Sequence, residues 1–167
     1  MNPPIYYLDT SALVKRYKTE QGSETINELF NGKSPDEVFV CSQFAAVEIE
    51  ATLSRALKAK LLNRRAYAAI LGRLAEDLSE TIMMHPVSSA VLSHATELAR
   101  RYALRAGDAV HMATALRVRR AALMGIIIVA SDDELLDAVK SEGLEGLDPR
   151  RPDATEHLRR LRSEKKD

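Results

Sequence analysis

Apolar residues fall along this chain in short continuous runs separated by longer stretches of helical spacing, and that alternation sets the expected fold. IYYL at residues 5 to 8 is an apolar and aromatic run preceded by two prolines, which exclude an earlier start, so it predicts a first strand. VFVC at 38 to 41 is β-branched and apolar and predicts a buried second strand. TIMM at 81 to 84, closed by His85-Pro86, predicts a third, and its Met83-Met84 pair is read as strand packing. GIIIVA at 125 to 130 is the strongest signal, because a continuous β-branched run belongs to a parallel strand covered on both faces. GLEGL, before Asp148-Pro149, is the candidate for an edge strand.

The intervening stretches predict helices. Thr10 or Ser11 is read as the cap of a first helix reaching about Tyr17, and Ser23 as the cap of a second through Ile26, Leu29 and Phe30, ended by Asn31-Gly32. Ser42 caps a run to about Lys60 in which Phe44, Val47, Ala51, Leu53 and Leu57 recur at helical spacing without proline or glycine. Asn63 to Leu78 sets Tyr67, Ile70, Leu71 and Leu74 on one side, and Val87 to about Tyr102 repeats Val91, Leu92, Ala95 and Leu98. Gly107 separates that helix from one spanning about Asp108 to Leu123. Ser131 is expected to start a short helix whose acidic residues sit where the amino-terminal dipole favours them. Strands alternating with helices predict an α/β fold: a three-layer α/β/α domain around a short, mainly parallel sheet of four or five strands.

The chain has 167 residues, enough for one self-supporting core, and 46% hydrophobic with 29% charged residues is ordinary globular composition. The single cysteine, Cys41, lies in an apolar run and is read as a buried thiol. No basic segment followed by a long apolar stretch opens the sequence, so no membrane association and a cytoplasmic location are expected. Lys plus Arg and Asp plus Glu both number 24, but from Arg150 onward seven basic residues face four acidic ones. The body is therefore acidic and the end basic. Residues 1 to 149 are read as the domain, and 150 to 167 as a basic extension, helical around Leu158 and Leu161 or disordered, with few apolar residues to hold it.

Two of the strand signals end in a hydroxyl and carboxylate pair, at Asp9-Thr10 and at Ser131-Asp132. In an open parallel sheet the strand carboxyl ends share one edge, so Asp9 and Asp132 are expected to meet there. Converging carboxylates repel, and divalent cations are the simplest compensation. Asp108 opens a helix, where a capping carboxylate is the competing reading. Glu48 interrupts an inward-looking helical face between Phe44 and Ala51, but Glu50 could point inward almost as well, and the spacing leaves both open. His85, His94, His111 and His157 show no metal-ligand spacing. His111 could approach the site, although a structural histidine is the simpler reading.

These segments also carry a resemblance. YYLDTSALVKRYKTEQGSE, SQFAAVEIEATLSRAL, LRAGDAVHMATAL and IIIVASDDELLDAV resemble, in order, the four motifs of PIN-domain ribonucleases of the VapC toxin type. The resemblance spans about residues 5 to 149. In the second motif the family's glutamate stands seven residues before an arginine, so Arg55 picks out Glu48. Gly107 stands where the family often has a larger apolar residue, and Asp133 offers an alternative ligand beside Asp132.

The resemblance implies that Asp9, Glu48, Asp108 and Asp132 are the catalytic and metal-binding residues. It implies one or two Mg²⁺ or Mn²⁺ ions, for which oxygen ligands are suited, and hydrolysis of RNA phosphodiester bonds by a toxin. Ser11 and Ser131 would orient the carboxylates through their hydroxyls, and Lys15, Arg16 and Arg105 are candidate RNA phosphate contacts. The implied partners are the RNA substrate, a second copy of the chain, and a VapB-like antitoxin. That antitoxin would insert a cation among the carboxylates and lay an amphipathic segment near the helices of residues 10 to 31 and 43 to 78. A catalytically weak RNA- or protein-binding module is the alternative. An aspartate-based phosphoryl-transfer domain is disfavoured, because a phosphatase of the haloacid dehalogenase kind would want an aspartate where Ser11 stands.

Overall fold

Strands β1 (Ile5–Leu8), β2 (Val38–Ser42), β3 (Ile82–His85), β4 (Ile126–Val129) and β5 (Glu145–Leu147) pair in parallel, in the order β3-β2-β1-β4-β5. The structure is a computed structural model and describes residues 4–163. The period-two alternation of a strand sorts the side chains into two cores. Tyr6, Leu8, Phe39, Cys41, Ile127 and Val129 face one side, while Ile5, Tyr7, Val40, Ile126 and Ile128 face the other. Both faces are covered, which is why β1 and β4 could be wholly apolar.

Helices α1 (Thr10–Leu13), α2 (Ser23–Asn31), α3 (Gln43–Lys58), α4 (Arg64–Glu80) and α8 (Ala154–Ser163) contribute to the first core. Helices α5 (Ser89–Tyr102), α6 (Ala106–Ala122) and α7 (Asp133–Ser141) form the second. The expected three-layer fold is observed, and its sheet, expected to be mainly parallel with four or five strands, has five strands, all parallel.

Local departures have local causes. The first helix is capped by Asp9 rather than Thr10 or Ser11, and after Leu13 it tightens into a 3-10 turn over Val14–Arg16. Gly22, with φ of +93°, caps α2 in place of Ser23, and a Cβ there would stand 2.8 Å from the Pro149 carbonyl. Ser88 caps α5, and Asp132 rather than Ser131 caps α7. In α3 the buried stripe is Ala45, Ile49 and Leu53, so Val47 is 61% exposed. The two apolar stripes of that helix differ in phase, and the sheet takes the one with the small Ala45. Leu92 is likewise exposed, as are Met83 and Met84 on the edge strand β3, which corrects their reading as packed side chains.

The basic extension is helical around Leu158 and Leu161, one of its two readings, and what the structure corrects is the expectation that little would hold it; its last four residues lie outside those described. Ala154, Leu158 and Leu161 of α8 are buried in the first core. Arg162 forms a two-pronged pair with Glu37 at 2.8 and 2.9 Å and donates to the Leu29 carbonyl at 2.8 Å. Arg159 pairs with Glu28 at 2.8 Å. The described part of the extension is thus built into the domain.

Leu158 is fully buried. Replacing it by alanine leaves a cavity, so Leu158→Ala should lower unfolding stability by about 2–5 kcal/mol in denaturant titration. A loss of a few tenths would mean that α8 is not part of the core.

Candidate active site

The carboxyl edge of the sheet gathers the acidic residues. Asp9 follows β1 directly, and its backbone N–H donates to the Val129 carbonyl at 3.0 Å, which ties it to the end of β4. Its carboxylate is nearly fully buried. Oδ2 accepts the Ser11 amide at 3.0 Å and the Ser11 hydroxyl at 2.5 Å. The Ser11 oxygen in turn accepts the Ser131 amide at 2.8 Å. Asp132 caps α7 by accepting the Leu135 amide on Oδ1 at 3.0 Å, and its Oδ2 lies 3.8 Å from Arg105 Nη1.

Asp108 is the third residue of α6, so it does not act as the cap. Its buried Oδ2 has no hydrogen-bond partner among the described residues. Burial, followed by the negative charges of Asp132 and Asp9, pushes its pKa from 3.8 up to about 6.

Glu48 points inward from α3. The Thr10 hydroxyl donates to its Oε2 at 2.5 Å, and His111 Nε2 lies 2.7 Å from the same oxygen. Burial would raise its pKa, but the hydrogen bonds from His111 and Thr10 outweigh that and hold it below the usual value. Glu50, left open by the helical spacing, instead accepts from Ser54 and from the Tyr67 hydroxyl. Gly107 has its own reason: a Cβ there would stand 2.6 Å from Glu48 Oε1.

Asp9, Ser11, Glu48, Arg55, Asp108 and Asp132 line a cleft of about 430 Å³. A larger groove of about 1160 Å³, lined by Arg101, Arg117 and Arg120 among others, contains none of these carboxylates, and the chemistry argues for the smaller one. Among the described residues, no three Asp, Glu, His or Cys groups already stand close enough to enclose an ion. The donor set nevertheless fits a hard divalent cation: its carboxylate oxygens face a shared cleft, and one is buried without a partner.

A model of the PIN domain matches residues 6–141. The chain belongs to the PIN-domain family. Its curated relatives include Ribonuclease VapC45 and Ribonuclease VapC49 of Mycobacterium tuberculosis, from strains CDC 1551 / Oshkosh and ATCC 25618 / H37Rv respectively. Each is 36% identical over 115 residues, covering 69% of this chain and 77% of the relative. Among solved structures, FitAcB from Neisseria gonorrhoeae is 17% identical with a TM-score of 0.61, covering 86% of this chain and 97% of its own. Mycobacterium tuberculosis VapC20, a Sarcin-Ricin loop cleaving toxin, is 21% identical with a TM-score of 0.58, covering 80% and 94%. At these identities the structural likenesses establish the fold.

Within this PIN domain, the candidate residues separate by environment. Asp133 is held by Arg150 at 2.6 Å, and Arg150 also clasps Asp148 at 2.9 Å, so the alternative ligand is already paired. Lys15 and Arg16, expected at RNA phosphates, have internal partners instead. Lys15 is buried and pairs with Glu20 at 2.7 Å; Arg16 pairs with Asp77 at 3.3 Å and lies over the Phe30 ring. Arg105 remains at the cleft with its side chain 72% exposed. The Ser131 hydroxyl has no partner among the described residues, and it is the backbone N–H that engages Ser11.

Sequence reasoning passed over Thr10, weighed only as a cap, and set His111 aside as structural. The spacing of His111, three residues after Asp108 and hence on the same helical side, was the available signal.

The raised pKa of Asp108 has a stability consequence. Between about pH 4 and 6 the folded chain binds more protons there than the unfolded chain, so metal-free stability falls as pH rises through that window. Asp108→Asn should therefore raise the melting temperature in EDTA at about pH 7, with the gain vanishing below about pH 4. A melting temperature unchanged by the substitution at both pH values would show that neither burial nor neighbouring charge penalises the ionised Asp108.

Proposed function

We propose that this PIN domain is an endoribonuclease that hydrolyses RNA phosphodiester bonds with Mg²⁺ or Mn²⁺, and that it acts as the toxin of a toxin-antitoxin pair. The observation that carries the reading is the buried, unpartnered Asp108 Oδ2, set against the charges of Asp9 and Asp132 in one cleft. The printed names of the curated relatives, both VapC ribonucleases, support the substrate class.

In this reading Asp9, Asp108 and Asp132 hold the ion or ions, and Glu48 contributes directly or through water. When bound, such an ion supplies an activated water for in-line attack and offsets charge at the leaving oxygen. Ser11 fixes Asp9 through two bonds to Oδ2, leaving Oδ1 as its free donor. That tethering favours an oriented ligand over the nucleophile of an aspartyl-phosphate mechanism. Arg105, exposed at the rim beside Asp132, is suited to an RNA phosphate.

An antitoxin would act on the same electrostatics. A cation inserted among the carboxylates relieves the repulsion that a metal relieves, and so competes with it. Val47 and Leu61, exposed at 61% and 83% on and just after α3, offer apolar surface on the segment of residues 43 to 78 where such a contact is expected. The FitAB complex bound to DNA and VapBC-1 from nontypeable Haemophilus influenzae are among the solved structures sharing the fold, with TM-scores of 0.62 and 0.56.

Cleavage of single-stranded or structured RNA by the purified chain, measured with and without Mn²⁺ or Mg²⁺, tests the proposal. Loss of a Lewis acid worth several kcal/mol corresponds to about 10³-fold, so Asp9→Asn and Asp132→Asn should each reduce metal-dependent cleavage on that order. Cleavage undiminished by either variant, or equal in EDTA, would contradict it.

A further inference from the structure

Tyr7, His111, Thr10 and Glu48 are linked by hydrogen bonds from the sheet interior to the cleft, and the proposed hydrolysis assigns nothing to the first three. Tyr7 and His111 are both almost completely buried. Tyr7 lies on β1 and reaches the second core, where its hydroxyl meets His111 Nδ1 at 3.0 Å. His111 Nε2 meets Glu48 Oε2 at 2.7 Å, with the Thr10 hydroxyl at 3.2 Å and Asp9 Oδ1 at 3.7 Å.

We propose that His111, fixed by Tyr7, is a positioning residue that holds Glu48 through an Nε2–H bond, and that Gly107 provides the space in which the rest of that carboxylate stands. The inference deepens the metal-dependent reading of the cleft and rests on it for the role of Glu48.

The assignment of protons follows from donor capacity. An ionised carboxylate only accepts, so the 2.7 Å contact to Oε2 requires a proton on Nε2. Thr10 has one proton, which its 2.5 Å bond to the same oxygen uses, so towards Nε2 it can only accept. Burial pushes the Tyr7 pKa well above 10.0, so its hydroxyl keeps its proton and can donate to Nδ1 of the neutral ring. Turning the ring over would break both bonds at once. Its faces are bounded too: Tyr7 stands edge-on at 6.0 Å between centroids, and Phe44 is tilted at 6.2 Å.

Two donors therefore pin Oε2, while Oε1 lies over the bare Gly107 backbone, 2.6 Å from where a Cβ would be. Since real Cβ contacts do not come so close, an alanine at 107 must displace the carboxylate. A histidine that merely fills the core would need Tyr7 alone. This one spends its second nitrogen on an acidic group of the cleft.

Two measurements on the full chain test the inference. In the metal-free protein, imidazole ¹⁵N–¹H correlation should show His111 carrying a proton on Nε2; a ring protonated at Nδ1 alone would overturn the proposal. Mn²⁺ affinity, read from the electron paramagnetic resonance signal of the free ion, should weaken about tenfold or more in His111→Ala and in Gly107→Ala. In a Glu48→Gln background, His111→Ala should cause no further loss, because its effect passes through that carboxylate. Equal loss in both backgrounds, or no loss in folded single variants, would overturn it. A native chain that takes up no Mn²⁺ refutes the metal reading instead, and the position of the imidazole proton then decides whether His111 holds Glu48.

Discussion

The repulsion among carboxylates at one edge of a parallel sheet is the constraint on which the functional reading depends. Parallel pairing puts Leu8 beside Val129, so Asp9, one residue beyond β1, and Asp132, three beyond β4, leave neighbouring strands at the same edge of the sheet. The crossover through α6 then brings Asp108 to that edge. The placements of Asp9 and Asp132 are fixed by strands buried on both faces, and that of Asp108 by a helix packed into the second core. The fold thus commits negative charge to one cleft before any ligand arrives.

The chain relieves part of that charge with its own groups, unevenly. Asp9 receives an amide and a hydroxyl from Ser11, and Asp132 receives the Leu135 amide. Glu48 receives Thr10 and His111. Asp133, which could have added to the load, is taken by Arg150. Asp108 is left with a buried oxygen that the described residues do not satisfy, and burial together with the charges of Asp132 and Asp9 raises its pKa. An oxygen-lined cleft with an unmet demand for positive charge suits a divalent cation, and it also suits a basic side chain delivered by a partner. Catalysis and inhibition would then draw on the same electrostatic deficit.

Much of this was legible in the sequence because it follows from local pattern. Continuous β-branched runs such as IIIV suit strands covered on both sides, and carboxylates just beyond parallel strands share an edge. These two caps lie one or two residues from their expected places because a carboxylate caps as well as a hydroxyl: Asp9 and Asp132 took the roles given to Thr10 or Ser11 and to Ser131. What stayed hidden depends on tertiary partners, most of them far away in sequence. Lys15 and Arg16 look like phosphate contacts until Glu20 and Asp77 are seen beside them. The attachment of α8 rests partly on Arg162 meeting Glu37, and the helical spacing that left Glu48 and Glu50 open is resolved by Thr10 and His111, 38 and 63 positions from Glu48, in line with the residue that Arg55 indicated. Gly107 departs from the resembling pattern for a reason visible only once the Glu48 carboxylate stands against it.

The most direct measurement of the central claim is a crystal structure of the native chain grown with Mn²⁺, with data collected to reveal the anomalous signal of manganese. The account predicts a peak in the cleft within ligand distance of Asp108 Oδ2 and of Asp9 or Asp132. A cleft without anomalous density at saturating Mn²⁺, or manganese bound only elsewhere on the chain, would contradict it.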